Sequence, residues 1–324
     1  MSKDKIYLNP YDQLKHLKIK GLGIPSDKLA ENYLRDIGYY KLINGYKRPF
    51  MYKKENGETA FLSGTTINDL YNLYKFDQSL KSLIFKNILL FEVMVKNRMT
   101  DLITRKYGLK ETQYLNPKNF KPDSKNQKGK TIKDFCQEIL QNIYSQNGKH
   151  KAITHYATHY GYYPFWVTSN IITLGTTSLL YTKMIQSDQN EISKTFGLKS
   201  KTFESILMIL QLFRNACAHD EVIYNYKTFC SLSQKDLINL FDELKIPKNI
   251  TTGRYMYGIN DILAVVICLE LVLNKVDFNE FITQLKPLLN KLKSQINDSM
   301  YKNVIEQMGI RDYINKIFSK HKIK

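Results

Sequence analysis

Apolar positions along the chain recur mostly at helical spacing. Leu29, Ala30, Tyr33, Leu34 and Ile37 repeat every three to four residues, with Ser26 ahead as a cap and Gly38 behind as a stop, which predicts a short helix. Asn56-Gly57, a strong turn signal, lies between Phe50-Met51-Tyr52 and Ala60-Phe61-Leu62 and predicts a small hairpin. Thr66, with Asp69 three residues later, resembles a capping box. The stripe Leu70, Leu73, Tyr74, Leu80, Ile84, Ile88 and Phe91 extends it into one long helix, expected to reach about Tyr107 and to end at Gly108.

A polar, Lys- and Asn-rich stretch over 110–130 reads as an exposed basic loop. Thr131 and Asp134 open the next helix, and a helical region over 164–184 is expected to break near Gly175-Thr176-Thr177. Phe203, Ile206, Leu207, Leu210 and Phe213 mark an amphipathic helix from about Ser200. Helices in the last third are expected behind caps at Ser233, Asn260 and Asp277, the last paired with Glu280. No internal repeat is visible. The pattern predicts an all-α bundle with one small β-hairpin. It reads either as an N-terminal segment, 1–65, packed on a helical domain, 66–324, or as one domain throughout.

Composition narrows the class. A chain of 324 residues buries enough surface to fold without disulfides or a structural metal. Cys136, Cys217, Cys230 and Cys268 show no framework spacing and read as reduced thiols of a cytoplasmic protein. The longest apolar run, Ile262 to Leu273, is interrupted by Glu270 and is too short for a membrane span; the first residues lack the apolar core of a secretory signal. Lys plus Arg is 48 against 30 Asp plus Glu, a net charge of +18, which favours a polyanionic partner. Lys118, Lys121, Lys125, Lys128 and Lys130 concentrate part of that charge and are candidate RNA-phosphate contacts.

Candidate chemistry sits at the end of the amphipathic helix. Arg214 falls within its apolar stripe, where a guanidinium is costly unless it pairs with a carboxylate, snorkels, or faces a cleft. The segment continues Arg214-Asn215-Ala216-Cys217-Ala218-His219. Imidazole moves protons near neutral pH, guanidinium holds phosphate, and RNA carries its own nucleophile in the 2′-OH; these suffice for RNA cleavage without a metal. Residues five apart on an ideal helix point about 140° from each other, so a bend, a helix end or a second copy of the motif is needed to bring Arg214 and His219 together.

RNACAH (Arg214 to His219), followed by Tyr224-Asn225, resembles the motif of HEPN ribonucleases. DIGYYKLINGY (Asp36 to Tyr46), LYNLYKFDQSLK (Leu70 to Lys81), FEVMVKNRM (Phe91 to Met99), PFWVTSNIITLGTTSLLY (Pro164 to Tyr181) and Met308-Gly309 make the chain similar to Abi-like abortive-infection proteins of the AbiD/AbiF type. The resemblance implies a HEPN-type helical core and a cytoplasmic, metal-independent endoribonuclease of phage defence that leaves a 2′,3′-cyclic phosphate. Arg214 and His219 would be its catalytic pair, with Asn215 as a positioning group and Glu92, Tyr224 and Asn225 as possible supports. No cofactor is implied. RNA is the expected partner, as substrate or as a structured non-coding RNA, and a homodimer is expected, with no membrane.

Blander readings stand beside these. Glu92 and Lys96 form an ordinary i,i+4 pair. His155 and His159 have metal-ligand spacing but no third ligand, and their aromatic surroundings favour packing or base stacking. Cys217 rejoins the apolar stripe and reads as packing. Two rival functions remain: a non-catalytic HEPN protein that grips RNA through Arg214 and His219, and a helical interaction protein, which the net charge disfavours.

Overall fold

Side chains that satisfy free backbone amides set several of the helix starts. The computed structural model describes residues 7–123 and 130–321. Asn9 caps α1 (Pro10–Ile19), and Ser26 Oγ accepts from Leu29 N at the start of α2 (Asp27–Asp36). A π-wound turn, Tyr40–Asn44, leads into the hairpin β1 (Met51–Lys53) and β2 (Thr59–Phe61), antiparallel with Met51 opposite Phe61. Gly57 supplies the left-handed turn residue at φ 84°.

Helix α3 (Ile67–Tyr107) is the spine. The Asp69 carboxylate accepts from both Thr66 N (2.7 Å) and Thr66 Oγ1 (2.8 Å), and Gly108 ends the helix at φ 92°. Its 41 residues span about 60 Å. There follow α4 (Glu111–Tyr114), α5 (Ile132–Ser145), α6 (Lys151–His159), α7 (Phe165–Thr168), α8 (Leu174–Lys183) and α9 (Gln186–Lys194). The motif helix is α10 (Ser200–Ala218). Then come α11 (Ile238–Glu243), α12 (Ile262–Val272), α13 (Lys275–Gln295), α14 (Asp298–Met308) and α15 (Tyr313–Lys320).

Helices α10 and α13 lie along α3, and α10 also packs on α8, α9 and α12. Apart from Glu270 and Leu271, every residue of α12 is buried; its apolar run is a core helix with no polar face to turn outward. Among the described residues no helix is long and apolar enough to cross a membrane. One continuous apolar core runs from Leu14 to Phe318, so the hairpin's Phe61 and the C-terminal Ile317 belong to the same packed interior. The architecture is mostly helical with one small hairpin, as the pattern predicts.

Five local expectations are corrected. The 110–130 stretch is not simply an exposed loop: Tyr114, Leu115 and Phe120 are buried, and Tyr114 Oη donates to Tyr163 O at 2.8 Å. Its scattered apolar residues outweigh the polar majority. The break over 164–184 falls between α7 and α8, before Gly175; Thr173 Oγ1 accepts from Thr176 N at 3.1 Å and caps α8, which leaves Gly175 in its first turn. Ser233 caps nothing, since its N donates to Ser205 Oγ at 3.0 Å and α11 starts only after Leu237. Asp261 rather than Asn260 caps α12, because Asn260 is committed to Thr228 O (3.0 Å); Asn274 caps α13, with Asp277 as the third helical residue.

Candidate functional site

The motif helix ends where its chemistry begins. Phe203 packs edge-on against Phe91, and Arg214 lies over Phe85, so α10 runs antiparallel to α3. Glu221 N donates to Ala216 O (2.9 Å) and Asp220 N to Cys217 O (3.3 Å), the paired bonds of a Schellman ending. Its left-handed position, φ 56°, is filled by Asp220 instead of glycine. The Asp220 carboxylate accepts from Lys81 Nζ (2.5 Å), Gln78 Nε2 (3.1 Å) and Lys41. Three donors from two distant segments thus fix the residue that follows His219.

One turn before Lys81, Asp77 is fully buried. It accepts from Tyr46 Oη (2.9 Å), Ile223 N (3.2 Å) and Tyr224 N (2.7 Å), with Lys81 Nζ at 4.0 Å. Burial pushes its carboxyl up to about 6, against the opposing pull of the Tyr46 bond, Lys81 and the two backbone amides. Helix α3 therefore clamps the chain on the C-terminal side of His219 at two points, Asp220 and Ile223-Tyr224. Lys41 and Tyr46 come from the segment Asp36 to Tyr46, and Asp77, Gln78 and Lys81 from Leu70 to Lys81; they meet at the end of the motif helix.

Arg214 is half-buried. Its guanidinium lies 5.7 Å from the Phe85 ring centroid, and its Nε is buried with no hydrogen-bond partner among the described residues. A buried donor left in that state costs about 1–3 kcal/mol. Arg214 and Asn215 line a cleft of about 470 Å³ between α5, α8 and α10. His219 is exposed at the helix end, and among the described residues its imidazole has no partner. It is not part of the cleft lining, so one chain does not gather Arg214 and His219 into one pocket.

The other candidates are placed as follows. Glu92 is buried and pairs with Lys96 at 2.7 Å; Lys96 also donates to Ile172 O (2.6 Å), just before α8, so Glu92 supports the α8 side of the cleft and makes no hydrogen bond to Arg214. Tyr224 is buried against Tyr46, burial raises its phenol, and its Oη has no partner among the described residues; Asn225 is half-buried beside it. Neither lines the cleft. Cys217 is buried, its thiol pushed up to about 12 by desolvation, which suits packing rather than nucleophilic attack.

Lys118 is exposed, whereas Lys121 is half-buried and donates to Gln189 Oε1 (2.8 Å) and Thr182 O (3.4 Å). Lys130 is exposed and paired with Glu138. Lys125 and Lys128 lie outside the described residues. The His155 and His159 rings stack at 4.3 Å beside Tyr156 and Tyr160, and among the described residues no three His, Cys, Asp or Glu side chains gather as metal ligands.

Sequence reasoning missed Lys41, Asp77, Gln78, Lys81 and Asp220. A partial signal existed: Asp77 and Lys81 are an i,i+4 pair on a helix whose neighbouring stripe is apolar. Searches of curated proteins and of solved structures found no match. The family model for Abi-like proteins matches residues 32–225, which takes in the π-wound turn, the whole of α3, the cleft and the clamped end of the motif helix, and the chain belongs to that family.

Proposed function

We propose that the protein is a metal-independent endoribonuclease of abortive-infection defence, with a HEPN-type core of the AbiD/AbiF kind. The observation that carries this reading is Arg214. Arg214 is half-buried in a cleft wall with no carboxylate partner among the described residues, one helical turn and a cap away from an exposed imidazole. A cation held in that way suits a phosphate better than it suits the fold.

In the proposed reaction the 2′-oxygen attacks the adjacent phosphorus while one His219 imidazole takes the 2′-OH proton. The P–O5′ bond breaks, and a second His219, as imidazolium, protonates O5′. Products are a 2′,3′-cyclic phosphate and a 5′-OH, with Arg214 stabilising charge on the phosphorane and Asn215 positioning the phosphate. Two His219 require two chains related by a twofold axis. Support for self-association lies on α3: Phe85, Leu89 and Val93 recur at four-residue spacing, and Leu89, Leu90 and Val93 are exposed, continuing outward from the ring beneath Arg214. The HEPN-like domain would begin near residue 66, and the protein would act in the cytoplasm.

Incubating purified protein with RNA in EDTA tests the reading. Cutting is expected, and His219→Ala is expected to abolish it while RNA binding persists. Binding without any cutting by the wild type would instead favour a non-catalytic protein whose ligand is a structured RNA. That second reading draws on the separation of Arg214 from His219 within one chain. Because both His219 act in one shared site, a mixture of Arg214→Ala and His219→Ala chains should stay inactive, and either variant in excess should poison the wild type as an inactive heterodimer.

A further inference from the structure

The cleft beside Arg214 has features that a phosphate alone does not require. Its floor is apolar, from Phe135 and Ile139 of α5, and Leu179 of α8 forms an exposed apolar wall. The amides of Gln211, Asn215 and Asn142 line it, and among the described residues none of the three side chains makes a hydrogen bond. Glu138, the cleft's carboxylate, is paired with Lys130, so Arg214 supplies the uncompensated charge of the lining.

Gly175 preserves the space. A Cβ at that position would stand 3.1 Å from Gln211 Nε2 and would press the amide aside by a few tenths of an ångström. The volume, about 470 Å³, lies in the range of small-ligand sites.

We propose that this cleft is the subsite for one nucleotide of single-stranded RNA. The phosphate lies on Arg214 and Asn215, and the base lies against Leu179 over the Phe135–Ile139 floor. Gln211 and Asn142 read the base edge, because a carboxamide offers both donor and acceptor to an unpaired base. Gln211 is thereby a specificity-determining residue, one helical turn from the phosphate ligand on the same face of α10. The proposal rests on the reading of Arg214 as a phosphate ligand; it does not require that the protein cut RNA.

The test uses the full-length His219→Ala chain, which leaves RNA intact, and fluorescence anisotropy with labelled 12-nucleotide homopolymers of A, C, G and U. One homopolymer is expected to bind best. Gln211→Ala should weaken that one about tenfold and the others less, which compresses the preference. Arg214→Ala should weaken all four alike. Gln211→Glu, which keeps the side chain's size, guards against misfolding: it should alter the preference while the melting temperature stays near that of the parent. Equal binding of the four homopolymers by the parent chain, or a preference unchanged in both Gln211 variants, overturns the proposal. Cleavage by the wild-type chain is scored separately, so loss of the nuclease reading and loss of the subsite give different results.

Discussion

Removing the Asp77 carboxylate tests the reasoning about the clamped helix end. Asp77→Ala strands three donors that now point at one buried acceptor: Tyr46 Oη, Ile223 N and Tyr224 N. Each stranded buried donor costs about 1–3 kcal/mol. Deletion also relieves the cost of holding an ionised carboxylate in the core. The rise of its pKa from 3.8 to about 6 sets that relief near 3 kcal/mol at neutral pH. Taking the middle of the donor range, the net destabilisation at pH 7 is about 2–4 kcal/mol. Urea unfolding of wild type and variant, with equal m-values, measures it. Hydrogen exchange adds a local readout: protection at Tyr224 N should fall more than protection in α12, which among the described residues makes no hydrogen bond to Asp77. A loss under about 1 kcal/mol, or uniform loss of protection, would refute the claim that Asp77 holds the segment after His219. Where the variant remains folded, its RNA cutting should drop, because the chain beyond the imidazole is no longer fixed.

Four further outcomes follow from the same geometry. Because the folded-state pKa of Asp77 lies above its unfolded value, its favourable contribution is complete below pH 4 and is lost as pH rises through 6; relative to Asp77→Asn, wild type should lose about 3 kcal/mol between pH 4 and pH 7 in urea titrations. Asp220→Gly should be less destabilising than Asp220→Ala by about 1 kcal/mol in thermal melts, since both lose the Lys41 and Lys81 contacts but glycine accepts φ 56° freely. Gly309→Ala should cost about 2–4 kcal/mol in urea unfolding: its Cβ would lie 2.2 Å from Asp261 Oδ2 on a left-handed backbone, and equal stability would remove the role given to that close approach. RNA affinity should fall steeply with salt, and Lys118→Ala should reduce the log–log slope by about 1, whereas an unchanged slope would take Lys118 off the RNA path.

The sequence by itself determined the helical class and both ends of α3. Helical period, a capping box and a terminal glycine are local, and at Thr66, Asp69 and Gly108 the local preferences agree with the tertiary fold. It also located Arg214, Asn215 and His219 on one helix end, and helix geometry required that the outer two diverge. Where several polar residues compete to cap one helix, local pattern was not enough: Asn260 and Asp261 are both good caps, and the choice fell to Asp261 because Thr228 takes Asn260. Tertiary structure alone decided the surroundings of the motif. Lys41 and Asp220 are 179 residues apart, and Asp77 and Tyr224 are 147 apart. No periodicity encodes such pairings, because they depend on how α3 and α10 cross once the core has closed. The cleft is of the same kind. Phe135, Gly175 and Gln211 carry no joint signal along the chain, and they share a wall only because α5, α8 and α10 bury their apolar faces against the same interior.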